Sequence, residues 1–242
     1  MCTYTWLPQS SGAIVTMNRD ERRERPEGDK ITTLSYQQGS LQVYYPIDKQ
    51  AGGTWFGYNT AGLCLALLNR YQDAENQSIP EAVKRSRGDI IPHLLKCASL
   101  PHVIQQIETN DFSGYPAFDL MFTDGQELWQ LSHRNPQQKP VLQQHASDLP
   151  FMLTSSSVAP EVTFNYRHHQ FTQFLKHTSK TTAEFILEHF HLVQTKGLES
   201  ESVLMSRDLS HTKSICQIDL GAQSYFLRYL RQPEFARAFA SL

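Results

Sequence analysis

Short β-type runs separated by turn residues fill the first seventy positions of the chain. Residues 2–7 (CTYTWL) and 13–17 (AIVTM) predict two strands joined through a Pro-Gln-Ser-Ser-Gly turn. Residues 41–45 (LQVYY) predict another. Residues 53–58 (GTWFGY) and 63–68 (LCLALL) predict a hairpin around 59–62; the second run is apolar on both faces, as a covered central strand is. Ser78 and Pro80 then read as a helix start. The run EAVKRSRGDIIPHLLKCASL predicts helix to about residue 99, broken by Gly88 and Pro92. Residues 101–109 predict a further helix. Strands return at 118–123 and 127–132, with Asp124-Gly125 as a hairpin signal, and at 151–155. Helices are predicted over 160–177 and 181–194, then strands at 202–206, 213–219 and 224–229, with a short helix or cap from Gln232.

Strands joined by hairpins imply largely antiparallel sheets with helices packed outside. That is an α+β layered sandwich rather than a doubly wound parallel fold. No repeat or linker interrupts the pattern, so residues 1–242 are read as one domain.

Composition narrows the function classes. Hydrophobic residues make up 40% and charged residues 19%, with a formal net charge of -2. There is no basic stripe for nucleic acid and no polybasic tail for an anionic membrane. No apolar run approaches the ~20 residues of a membrane-spanning helix. MCTYTWLPQSSG lacks the charged and apolar regions of a signal peptide, so the cytoplasm is the expected compartment.

The four cysteines, Cys2, Cys64, Cys97 and Cys216, form neither a zinc framework nor a compact disulfide scaffold. Three lie in apolar runs and read as small buried hydrophobes. Cys2 differs by position. It is either a core thiol near the chain start or, once Met1 is removed, a nucleophile that carries its own base. A free α-amine has a pKa near ~8 and can take the thiol proton.

The strand at 13–17 runs into Asn18-Arg19-Asp20-Glu21. If it pairs with 2–7 as a hairpin, Arg19 and Asp20 come beside Cys2. Arg19 can then lower the thiol pKa, and Asp20 can orient the amine. Asn69, at the end of a buried strand, either starts a turn or offers an amide N–H to a developing oxyanion. Tyr4, Trp6, Trp55, Phe56 and Tyr58 read either as the wall of an apolar acyl pocket or as cross-strand core pairs.

Other chemistries find less support. His168 and His169 are adjacent and His189 and His191 are two apart, which are not the spacings of metal ligands sharing a helix face. No metal site and no resident cofactor are therefore expected. A single axial haem ligand stays open. No G-x-S-x-G and no phosphate loop occur.

Met1-Cys2, the tetrad Asn18–Glu21, Gly52–Gly57 (GGTWFG), LLNRY ending at Tyr71 and Ser86-Arg87-Gly88 together resemble the NRDE family, which includes the transport-and-Golgi-organisation proteins. These motifs span roughly the first ninety residues. That family is similar to N-terminal-nucleophile hydrolases of the bile-salt hydrolase and penicillin V acylase branch. The resemblance implies a four-layer αββα sandwich of two mostly antiparallel sheets. It implies cleavage of a non-peptide C–N bond in a small acylated amide by Cys2, with Arg19 and Asp20 beside it and Asn69 in the oxyanion hole. Asn18 and Trp55 are carried as substrate-binding candidates. For the second Asn of that branch, this chain offers Ser156 or Asn165. For its late Arg it offers Arg207, with Lys213 as the alternative. The resemblance also implies a rival: a non-catalytic carrier or regulator of haem, acyl-CoA or a lipid-like ligand.

Overall fold

The first two strands form the hairpin that their alternation predicts. β1 (Cys2–Gln9) pairs antiparallel with β2 (Gly12–Arg22), and the register sets Cys2 opposite Arg19. The computed structural model describes residues 2–29, 31–36, 40–71, 79–176, 182–221, 227–232 and 234–235. Ser78, proposed as a cap, and the tail beyond Phe235 lie outside them.

Two further strands, β3 (Ile31–Tyr36) and β4 (Leu41–Pro46), precede a second hairpin of β5 (Phe56–Asn59) and β6 (Cys64–Asn69). Two 3₁₀ turns lead into α1 (Ile90–Leu94), and α2 spans Leu100–Thr109. β7 (Phe118–Thr123), β8 (Leu128–His133), β9 (Val141–His145) and β10 (Phe151–Ser155) follow. The rest is α3 (Pro160–Lys176), α4 (Ala183–Ile186), a π turn at Leu187–His191, β11 (Ser210–Asp219) and β12 (Arg228–Arg231).

The strands form a five-stranded sheet in the order β10-β1-β2-β11-β12 and a seven-stranded sheet running β3 to β9 in chain order. All named pairings are antiparallel. Period-two alternation assigns the faces. Tyr4, Trp6, Val15 and Met17 meet Phe56, Cys64, Ala66 and Leu68 in a core between the sheets. Leu63, Leu65 and Leu67 turn the other way, onto Ile90, Leu94 and Val103 of the first helical layer. Leu7, Ile14 and Met152 pack on Phe171, Phe174 and Phe190 of the second. The result is helix, sheet, sheet, helix: the αββα sandwich.

Several expectations change. β3 and β9 are the edge strands of the larger sheet and are rich in polar residues, so their alternation is weak; neither was read from the pattern. Pro92 lies in the first turn of α1, where its missing N–H needs no partner, and does not break the helix. Residues 202–206 form no strand; only Ser206 makes an isolated bridge, to His211. The strand expected at 224–229 is β12 at Arg228–Arg231, with 222–226 outside the described residues.

The helix expected over 181–194 is only four residues of α4 and the π turn. The turn brings His191, wholly buried, onto β1 and β2. Its Nδ1 donates to Asn18 Oδ1 at 2.5 Å, and its Nε2 accepts from Thr5 Oγ1 at 2.8 Å. Asn18 Nδ2 in turn donates to the carbonyls of His191 and Val203. The neutral ring is satisfied at each nitrogen, and burial pushes its pKa down to about 3. The native state thus resists a proton that the unfolded chain accepts near pH 6.5. This contribution to stability is complete above pH 6.5 and lost as pH falls toward 3, at about 1.4 kcal/mol per unit. Urea midpoints between pH 7 and 4 should fall more steeply for the wild type than for His191→Gln; parallel curves would contradict this role.

Candidate functional site

A cavity of about 270 Å³ opens at the end of the sandwich where β1 begins and β2 ends. Cys2, Arg19, Asp20, Trp55 and Asn69 line it, together with residues 84–88. The hairpin register explains the first two. Cys2 and Arg19 are directly opposed and therefore share a face. Ser155 of β10 and Ser214 of β11 extend the same row across the sheet.

Arg19 is 5% exposed. Its Nη2 donates to Asp48 Oδ2 at 2.6 Å, and its guanidinium lies 4.2 Å over the Trp55 ring. Its Nη1 is buried and has no hydrogen-bond partner among the described residues. Burial alone would raise the Asp48 pKa. Arg19, Arg25 and the backbone N–H groups of Ala51 and Gln50 outweigh it and hold the carboxylate below its ordinary range.

Cys2 is 7% exposed. Burial pushes its thiol above the usual range, and the Asp20 carboxylate adds to this. Arg19 and the Asp20 backbone N–H act in the opposite direction. Activation of this thiol thus calls for an adjacent base. Met1, whose removal would supply one, lies outside the described residues.

Asp20 follows Arg19 on β2 and so faces the opposite side of the sheet. Its carboxylate is reached by Arg167 Nη1 and Nη2 at 3.3 Å and by Thr212 Oγ1 at 2.7 Å. Arg167 also donates to Thr3 Oγ1 at 2.6 Å, one residue from Cys2. Asp20 therefore sits behind β1, tied to α3. Asn69 leaves the end of β6 with its amide at the cavity, donating to Tyr71 Oη at 3.2 Å.

The remaining candidates are elsewhere. Asn18 holds His191 and Val203 on the far face of β2, away from the cavity. Ser156 donates to the Val158 carbonyl at 2.6 Å. Arg207 contacts Ser156 Oγ at 3.3 Å and Thr163 Oγ1 at 3.2 Å, on the α3 side. Asn165 is exposed on α3. Lys213 donates to the Arg23 carbonyl and lies 3.7 Å from Glu27. None of these lines the cavity. No group of three His, Cys, Asp or Glu stands close enough to hold a metal among the described residues.

The residue that sequence reasoning missed is Arg87. It lines the cavity, donates from Nη1 to the Ala117 carbonyl at 2.8 Å, and is close enough to Cys2 for their charges to interact. Burial lowers its pKa, while Tyr71, Cys2 and Glu21 favour its charge. What brings it there is a backbone contact. Thr54 N donates to the Gly88 carbonyl at 3.0 Å, and a Cβ on Gly53 would stand 2.5 Å from the Gly88 carbonyl carbon. Glycine at 53 lets the two segments touch, which links GGTWFG to Ser86-Arg87-Gly88. Gly53→Ala should cost about 2 kcal/mol and displace 84–88 from the cavity. Denaturant titration and the rate of Cys2 alkylation would each report this; an unchanged midpoint would contradict it.

The fold has known parallels. A penicillin V acylase from Agrobacterium tumefaciens aligns with a TM-score of 0.55 at 10% identity, over 97% of this chain and 88% of that one. A Caenorhabditis elegans ortholog of N-acylethanolamine-hydrolyzing acid amidase gives 0.62 at 13% identity, over 94% and 100%. A C2A mutant of a conjugated bile acid hydrolase from Clostridium perfringens gives 0.53 at 11%, over 97% and 93%. At these identities the likeness is one of fold. Among curated proteins none matches. The model of the family described as Transport and Golgi organisation 2 matches residues 1–231, nearly the whole chain, and the protein belongs to that family.

Proposed function

We propose that the protein is an N-terminal-cysteine amidohydrolase acting on a small acylated amide. The observation that carries this reading is the pairing of Cys2 with Arg19 at the floor of a cavity that Asn69 also lines. After loss of Met1, the Cys2 α-amine takes the thiol proton, and Sγ attacks the amide carbonyl carbon. Asn69 and backbone N–H groups stabilise the oxyanion. The C–N bond breaks and the amine leaves with the proton held by the α-ammonium. Water then attacks the thioester, giving its proton to the α-amine, and the acid departs. Asp20, whose carboxylate Arg167 and Thr212 hold in place one residue beyond the partner of Cys2 on β2, supports this reading as the group that steadies the Cys2 end of β1.

The test is intact mass before and after treatment with a thiol-reactive lactam, with peptide mapping. Loss of Met1 with labelling of Cys2 ahead of Cys64, Cys97 and Cys216 is expected. Retention of Met1, or an inert Cys2, would overturn the reading.

The second reading is a carrier of haem, acyl-CoA or a related ligand; the burial that pushes the Cys2 thiol pKa up leans toward it by making the thiol a poorer nucleophile. On that reading ligand binding persists in Cys2→Ala without turnover.

A further inference from the structure

The cavity walls hold more positive charge than they neutralise. On one side Asp48 takes Arg19 at 2.6 Å and Arg25 at 2.8 Å, while Glu21 lies 3.2 Å from Arg25 and 3.7 Å from Arg19. Two cations thus meet two carboxylates, and Asp20 is turned to Arg167 on the far face. The opposite wall, residues 84–88, brings Arg85 and Arg87.

Neither Arg85 nor Arg87 has a carboxylate within ion-pairing distance among the described residues. Arg87 gives one N–H to the Ala117 carbonyl. Arg85 is exposed, and its guanidinium is held by the Asp111 carbonyl at 3.3 Å and by Tyr115, whose ring lies at 4.3 Å; both partners line a neighbouring pocket rather than the Cys2 cavity, so the free donors on this wall are those of Arg87. A guanidinium held at one corner by a carbonyl keeps its other N–H groups for a second partner. Across the cavity, Arg19 Nη1 is buried and without a partner. The half-buried Arg87 and the buried Arg19, facing one cavity with surplus positive charge, suit a planar or tetrahedral anion.

We infer that Arg87, with Arg19 across from it, forms an anion subsite of the Cys2 cavity, so that the substrate is an amide bearing a carboxylate, phosphate or sulfonate rather than a neutral acylated alcohol-amine. This rests on the amidohydrolase reading for its catalytic meaning, though not for its geometry.

Two isosteric thiol reagents separate charge from reactivity. Iodoacetate and iodoacetamide alkylate Cys2 by the same displacement of iodide, and only the first is an anion. In the wild type, the iodoacetate-to-iodoacetamide rate ratio at Cys2 should exceed that of free glutathione by about tenfold. Arg87→Gln should return it toward the glutathione value, and Arg87→Lys should keep part of the preference. A wild-type ratio equal to that of glutathione, or one unchanged by Arg87→Gln, would overturn the subsite.

Should Cys2 take neither reagent, thermal shifts with N-decanoylglycine and N-decanoylglycinamide report on the same subsite. The acid should stabilise the wild type more than the amide; equal shifts would overturn the proposal. Acid preference that survives in Cys2→Ala, in a protein whose Cys2 resists lactam labelling, would sink the nucleophile alone and leave the subsite standing.

Discussion

Replacing Arg167 by methionine is expected to destabilise the protein by about 3–5 kcal/mol. Arg167 is fully buried at the interface between α3 and the five-stranded sheet. Its Nε donates to the Glu201 carbonyl at 3.0 Å, and its two Nη atoms serve Thr3, Thr154 and Asp20. Methionine fills much of the volume but makes none of these bonds. The Asp20 carboxylate, itself 1% exposed, loses its guanidinium and keeps its desolvation. The loss should be less than additive with Asp20→Asn, because the partner charge is then already gone. Denaturant unfolding of the two single variants and the double variant measures this. A loss below about 1 kcal/mol, or strict additivity, would show that the pair is not a unit. Because Thr3 follows Cys2 directly, the same variant should also slow lactam labelling.

Cys2→Ala is expected to fold and to lose turnover by roughly 10³-fold or more. Cys2 packs at the margin of the core between the sheets, where losing one sulfur leaves a small void open to the cavity. Without Sγ there is no thioester, and the remaining donors only bind the amide. Asn69→Ala should lower kcat less, by roughly 10²–10³-fold, with a smaller change in KM, since an oxyanion donor acts chiefly in the transition state. Steady-state kinetics on an acylated amide separates the two. Wild-type turnover by Cys2→Ala would refute the nucleophile.

The site was partly legible before any coordinates. Strand alternation at 2–7 and 13–17 around a Pro-Gln-Ser-Ser-Gly turn already brings Arg19 near Cys2; the structure lengthens the strands to 2–9 and 12–22, shortens the turn to Ser10-Ser11 and so sets Cys2 directly opposite Arg19. The same alternation turns Asn18 and Asp20 to the other face, and from there their partners are set by the helix layer. Asn18 therefore looked like a ligand-binding residue of a charged tetrad, yet its amide clamps the π turn at His191. Ser156 and Arg207 likewise meet each other on the α3 side rather than at the cavity.

The count of four layers is implied only by the family resemblance; by itself, the residue pattern determined the strand-rich α+β layered character, the hairpins at 2–22 and 118–133, and the apolar stripes of their strands. These depend on residues two to four apart, whose periodicity is written in the chain. Only the tertiary structure decided that Arg87 joins Cys2, that Asp20 answers to Arg167, and that β3 and β9 close the edges of the larger sheet. Such contacts join residues far apart along the chain through sheet packing and one close approach of glycine backbones. No local periodicity encodes which distant atoms will touch.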